Sequence, residues 1–290
     1  MSEQLQSDFD KIMKNSKISE KEILVKKNFL NKFIKSGFPN RKQEDWKFLD
    51  ISQIIKKNIS DLSFFNDYSQ PNRIDSSIFI DSLEHNKIIF INGRIEKFDF
   101  SYEDQNKIEI KDEIGKDISF NYENSLIDLN NAFAHKVFKI SIKKNYPLKK
   151  PLIIYHSTND KIKSTNINLR LEFELGENSC LRLIDFFNSS NAKNFINIFY
   201  NFNLNKGSIL KNFKIDKFKS DNLKYSFNNI EQDSNSISET FILSTGSDYF
   251  KNEINCNLNG EYSSAFINGV FSLKENQQHE IRTTINHLVE

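Results

Sequence analysis

Two cysteines in 290 residues, Cys180 and Cys256, lie far apart and form no Cys-x-x-Cys pair. Neither a disulfide framework nor a zinc finger is encoded. Charge of one sign is missing too: 40 basic side chains against 39 acidic ones leave a net charge of +1. That excludes the strongly basic face of a nucleic-acid binder. No apolar run approaches the ~18–20 residues of a membrane span. At the N-terminus, Glu3, Asp8 and Asp10 interrupt any secretory apolar region. The eight glycines build no phosphate-binding loop, and neither Gly-x-Ser-x-Gly nor His-Glu-x-x-His occurs. A cytoplasmic protein in a reducing setting is expected, with neither membrane nor nucleic acid as partner. Phenylalanine is abundant at 27, but beside so much Lys, Ile and Asn it reflects base composition rather than an aromatic binding surface.

What is present is repetition. From residue 139 onward one unit is written four times, over 169–187, 198–213, 225–243 and 250–273. Each copy is an alternating strand, a polar turn and a second alternating strand. The turns fall at Gly176, Gly207, Ser234 and Gly260, at intervals of 31, 27 and 26 residues. A near-regular period of that size marks a stacked repeat in which each unit covers its neighbour. Within a copy the period is two: Leu171, Phe173 and Leu175 alternate with Glu172 and Glu174, then Leu181, Leu183 and, after a slip, Phe186 follow. The reading is a β-solenoid, with an antiparallel β-sandwich as the alternative.

Ahead of the repeats the pattern is helical. Leu5, Phe9, Ile12 and Met13 predict a helix over 4–14. Ser19 with Glu22 forms a capping box for a second helix, which Gly37 and Pro39 end. Its apolar face is read as Ile23, Leu30 and Ile34 with Val25, Phe29 and Phe33. The following segment, 37–48, holds the only Trp. Trp46 and Phe48 are expected to bury as an anchor while Arg41, Glu44 and Asp45 tie the turn. A site for an anion at Arg41 and Lys42 is the alternative. Asn92-Gly93 between apolar runs predicts a type I′ hairpin over 87–95. Leu129 and Phe133 suggest a short helix over 128–136, with His135 as a helix-end residue. Residues 137–142 read as a strand, and the apolar run 152–155 reads as one buried on both faces.

Gly-x-Pro-x-Arg-Lys-x-Glu-Asp-Trp-Lys-Phe at 37–48 resembles the N-terminal motif of the SufD family of iron–sulfur cluster assembly proteins. Ile91-Asn92-Gly93-Arg94 and Leu129-Asn130-Asn131-Ala132-Phe133-Ala134 are similar to further family segments. Pro151-Leu152-Ile153-Ile154 resembles the opening of the family's β-helix, with Lys149 where a Glu would stand. Leu258-Asn259-Gly260-Glu261, Asn268-Gly269, Gln278-His279 and Thr283-x-x-x-His287 follow in the family's order. SufB-type cysteine clusters are absent, which favours SufD over its paralogue.

The resemblance implies a right-handed parallel β-helix over 137–290, a mixed connecting region over 61–136 and a small helical N-terminal domain over 1–60. It implies a non-catalytic scaffold that pairs with a SufB-like paralogue and a SufC-like ATPase and handles an iron–sulfur cluster. ATP sits on the partner, and the complex is tied to iron supply and a reduced flavin. No catalytic, cofactor or metal residue is assigned to the chain itself. His279, His287 and Cys256 are the interface or transfer-path candidates, and Arg41, Glu44 and Trp46 the structural motif. Cys256 shares a strand face with Ile254 and Leu258 and reads as a buried small hydrophobe. The strand-like 281–289 stops at Glu290 without a capping unit. The chain is therefore expected to be incomplete, without the family's Cys-Ser-His motif or its ATPase-docking helical domain. The rival class is a carbohydrate-active β-helix enzyme, a lyase or hydrolase, which needs paired acids on one face. Glu172, Glu174, Asp185, Asp216, Glu231 and Glu239 occupy unrelated phases and read as a solvated face.

Overall fold

The computed structural model describes residues 2–15, 18–59, 61–66, 73–74, 77, 79–113, 124–159, 162–189, 193–216, 220–274 and 276–289. Where the sequence alternates, the chain is extended. Each repeat becomes two strands: β6 (Asn166–Leu175) with β7 (Cys180–Ser189), β8 (Phe195–Leu204) with β9 (Ile209–Asp216), β10 (Ser220–Gln232) with β11 (Ile237–Ser244), and β12 (Ser247–Leu258) with β13 (Ser264–Phe271). β14 (Gln278–His287) follows. Before them come β4 (Val137–Ile142) and β5 (Leu152–Thr158), and before those β1 (Asn86–Ile91), β2 (Arg94–Asp99) and β3 (Ile108–Glu113).

From β4 onward each strand pairs in parallel with the strand two further on, because every coil retraces the path of the last. Two seven-stranded sheets result, ordered β13-β11-β9-β7-β5-β1-β2 and β14-β12-β10-β8-β6-β4-β3. This is a β-solenoid of about five turns. The two pairs at its N-terminal end, β1–β2 and β3–β4, are antiparallel. Asn92 (φ 54°) and Gly93 (φ 79°) give the β1–β2 hairpin the paired positive φ of a type I′ turn. β3 carries no signal that the sequence reading used.

The polar turns repeat one backbone device. Asn145, Asn178, Gly207, Asn235 and Tyr262 each have φ between 56° and 66°, a conformation that Gly and Asn tolerate best. Their amides link coil to coil: Asn178 donates to the Lys206 carbonyl at 3.0 Å, Gly207 to Ser234 at 2.9 Å and Asn235 to Glu261 at 2.9 Å. Gly260 is required for a different reason, since a Cβ there would lie 2.0 Å from the Ser234 amide nitrogen.

Four helices complete the described chain: α1 (Ser2–Asn15), α2 (Glu20–Ser36), α3 (Ile51–Asn58) and α4 (Ser125–Phe133). α2 starts with the expected capping box, Ser19 N donating to Glu22 at 2.7 Å and Glu22 N to Ser19 Oγ at 3.4 Å. The face it buries is Lys26, Leu30 and Phe33, whereas Ile34 is exposed. Lys26 takes the inner position because its ammonium donates to the carbonyls of Asn131 (3.3 Å) and Ala134 (2.7 Å) at the end of α4. α4 begins three residues before the predicted helix, at a side-chain cap from Asn124, and ends before His135. α3 was hidden in the sequence by its length.

These helices cover the outer face of the second sheet. Leu5, Phe9, Leu30, Phe33 and Trp46 form one apolar cluster with Phe195, Phe199, Leu223, Tyr225 and Phe227 of the sheet. Trp46 lies in a short 3-10 turn, Glu44–Trp46, with its ring 5.4 Å from that of Tyr225 and 4.4 Å from the Lys251 ammonium. Phe48 is not part of the anchor: it is 65% exposed, because the turn points it away from the sheet. Trp46→Ala should therefore lower stability by about 3–5 kcal/mol, while Phe48→Ala should stay within about 0.5 kcal/mol. Urea unfolding of the two variants beside the parent chain checks this contrast.

Candidate functional site

Alternation sends every second side chain of a strand between the two sheets, and in the middle coils some of those side chains are charged. The inner phase of β7 is Leu181, Leu183, Asp185 and Phe187, and that of β9 is Leu210, Asn212, Lys214 and Asp216. Asp185 is 0% exposed and Lys214 and Asp216 are each 3% exposed. Asp185 and Lys214 are neighbours in register, with Oδ2 2.7 Å from Nζ. The other carboxylate oxygen of Asp185 is 2.9 Å from Nε2 of His156, on β5. The Tyr200 hydroxyl, from the opposite sheet, lies 3.1 Å from the same ring nitrogen. The imidazole is held nearly parallel between Phe90 and Phe187, with centroids at 5.8 and 4.6 Å. The Lys214 ammonium sits 3.7 Å from the Tyr200 ring centroid.

A second group lies one coil further on. Asp216 accepts from Lys224 Nζ at 2.6 Å and, through its other oxygen, from the Ser247 hydroxyl at 2.6 Å and amide at 3.2 Å. Lys224 Nζ is 4.7 Å from the Phe187 ring centroid, so Phe187 separates the two groups. His279 extends the second group: Nδ1 is 2.7 Å from Ser244 Oγ and Nε2 2.6 Å from the Ser247 carbonyl.

Burial sets the electrostatics. It pushes the Asp185 carboxyl up, but the charge of Lys214 and then the contact with His156 outweigh it, and the carboxyl is held well below the usual range. Asp216 is likewise held low, by Lys224 and Ser247 against burial. Burial lowers His156, with Asp185 opposing, and the ring is a neutral imidazole that donates to the carboxylate. His279 is lowered chiefly by burial as well. The interior thus holds two lysine–carboxylate pairs and two histidines whose charging the surroundings oppose. A narrow apolar cleft, with Gly93 and Ser157 among its lining, reaches His156.

The residues singled out in the sequence fall in three places. Cys256 is fully buried on the inner phase of β12, and burial pushes its thiol up to about 12, so it stays protonated. His279 and His287 share the inner phase of β14, but His279 is half-buried and bonded while His287 is exposed. In register, Cys256 faces Ile285 and Leu258 faces His287. No group of three side chains able to hold a metal occurs among the described residues. Arg41 and Lys42 are exposed and Glu44 lies 3.9 Å from Lys47, so of the three motif residues Arg41, Glu44 and Trp46 only Trp46 is buried. Asp45 pairs instead with Arg282 of β14 at 2.5 Å.

Asp185 and Asp216 correct the sequence reading, which sets them on a solvated face. The assumed slip to Phe186 keeps a charge out of the core. The strand holds strict alternation instead, buries Asp185 against Lys214 and His156, and turns Phe186 outward against Tyr155. Unbroken period two was the available signal.

A two-sheet parallel β-solenoid with ionic pairs inside is the class that fold and site define. Residues 156–290 match the family model described as "SUF system FeS cluster assembly, SufBD core domain". Over 274 residues the chain is 23% identical to "Iron-sulfur cluster assembly protein SufD" of Escherichia coli (strain K12), covering 89% of the chain and 61% of that relative. The chain thus spans about three fifths of the relative's length. Both similarities point the same way, to the SufBD core and to SufD, and they support a SufD-family relationship.

Removing one partner of a buried ion pair strands the other. Asp185→Asn should lower stability by about 3–5 kcal/mol, and Asp185→Leu combined with Lys214→Met should recover much of that loss. The sign of the pH response follows from the same groups. A histidine held below its ordinary value lets the unfolded chain take up the proton first, so stability falls as pH drops below about 6.5. The depressed carboxyls of Asp185 and Asp216 add a further loss below about pH 4. Denaturant melts from pH 8 to 4 should show both phases, and His156→Gln should shrink the first.

Proposed function

We propose that this chain is a scaffold subunit in iron–sulfur cluster assembly, working in the cytoplasm beside a SufB-like paralogue and a SufC-like ATPase and supporting iron acquisition. The observation that carries the reading is the SufBD core match, which covers the coil stack from β5 (His156) through β14. The similarity to SufD over 89% of the chain supports the same reading. The chain contributes a rigid, register-locked surface rather than a reaction centre, and ATP turnover belongs to the partner. The interior acids fit this better than they fit a carbohydrate enzyme. Asp185 and Asp216 are each bonded to a lysine inside the stack, whereas glycoside cleavage needs two carboxyls flanking an open cleft.

The test is to co-express the chain with the SufB and SufC homologues of its source and to rebuild clusters on the purified assembly. Co-elution of the chain with the SufB homologue, and slower cluster formation when the chain is left out, are the expected results. A chain that elutes alone and leaves cluster formation unchanged would sink the scaffold role.

A further inference from the structure

A narrow cleft opens between α2, the end of α4 and β6, on the opposite side of the second sheet from the ionic interior. Its polar lining holds three cations, Lys26, Lys136 and Arg170, with His135, Asn131 and Glu22 beside them. Lys26 is 8% exposed and Arg170 3% exposed, and a buried cation needs an anion or several acceptors to hold it. The carboxylates nearby are already engaged. Glu22 accepts from the Ser19 amide and hydroxyl, both at 2.7 Å, in the cap of α2. Asp112 pairs with Lys136, and Glu172 takes one Nη of Arg170 at 3.0 Å.

Lys26 makes no ion pair among the described residues; two of its three N–H groups go to the carbonyls of Asn131 and Ala134. The other Nη of Arg170 donates to the Asn131 side chain, which leaves its Nε buried without a hydrogen-bond partner. The two cations repel each other across the cleft, and His135 is held below its ordinary value by burial and then by Lys136, Lys26 and Arg94. Among the described residues, Glu172 and Asp112 thus offset Arg170 and Lys136, while the Lys26 ammonium has no carboxylate and the Arg170 Nε no acceptor, which leaves room in the cleft's bonding for one added anion.

We infer that the cleft between α2, α4 and β6 is a binding site for a small oxyanion of the phosphate class, held by Lys26 and Arg170 with Lys136 at the mouth. Oxyanion oxygens accept from the remaining ammonium N–H and the open guanidinium Nε, both charge-assisted. The oxyanion could be free phosphate or the terminal phosphate of a nucleotide, and the two differ in what extends from the mouth.

Isothermal titration of the whole chain with inorganic phosphate and, separately, with ADP, at constant ionic strength and pH 7, tests this. Saturable binding is expected, tighter for phosphate if the site takes the free ion and tighter for ADP if it takes a nucleotide. Lys26→Met should weaken binding about tenfold or more. Lys26 also caps α4, so Lys136→Glu serves as a surface variant that keeps the fold and should also weaken binding. Lys42→Glu makes the same change in net charge far from the cleft and should leave affinity unaltered. The inference is overturned by the absence of saturable binding for both probes, by full affinity in Lys136→Glu, or by an equal loss in Lys42→Glu.

Discussion

Register is the constraint on which this molecule depends. Parallel pairing carries each position of one coil onto the equivalent position of the next, so Ile167, Ile196, Lys224, Phe250 and His279 form one column, and Ile154, Asp185, Lys214, Ile242 and Gly269 another. A slip of one residue would turn every inner side chain outward. The turns enforce the register. The turn between the two strands of each coil places one residue in the left-handed region, and at Asn145, Asn178, Gly207 and Asn235 the amide of that residue bonds to the adjacent turn. Tyr262 adopts that conformation although it is neither Gly nor Asn, and it does so while 81% exposed, where its ring meets no packing penalty.

A stacked column also decides how charge can be carried inside. A lone buried Asp would be untenable, but the column offers a partner one coil away, and Asp185 finds Lys214 there. Asp216 finds Lys224 across the interior, from the other sheet. The aromatic rings of Phe187 and Tyr200 fill the remaining space and face the ammonium groups. Such pairs contribute little net stability compared with apolar side chains of similar volume. What they impose is position, since a shifted coil would leave four charges unmatched.

Most of the architecture is legible in the sequence because it rests on local patterns. The capping box at Ser19, the Asn92-Gly93 turn, the alternation from residue 169 onward and the burial of Trp46 are short-range signals, and each appears in the structure. The main departures share one cause. Residue type alone misplaces Asp185 and Asp216 and passes over Lys26, whose positions are set by partners brought in by the fold. Lys26 is buried because α4 ends beside it, 105 residues away. Asp185 is buried because Lys214 arrives 29 residues later. The cationic cleft is invisible for the same reason, since α2, α4 and β6 meet only in space, and the sequence points instead to exposed Arg41 and Lys42.

A solenoid in which each coil touches only its neighbours gains stability coil by coil and frays from its ends. The N-terminal segment changes that here. Around Trp46 the chain reaches three successive strands of one sheet: its ring meets Tyr225 of β10, Lys251 of β12 donates to the Asp45 carbonyl at 2.6 Å, and Arg282 of β14 pairs with the Asp45 carboxylate at 2.5 Å. Gln278 of β14 adds a bond to the Phe48 carbonyl. Residues 45–48 therefore span coils that parallel pairing joins only one to the next, so that loosening any one of them loosens the hold on the others. This gives the Arg-Lys-x-Glu-Asp-Trp segment a physical role independent of any ligand: it couples the stability of the later coils to that of the helices. The exposed charges of the segment need only keep it soluble, while Trp46, Asp45 and the carbonyls beside them hold it on the sheet.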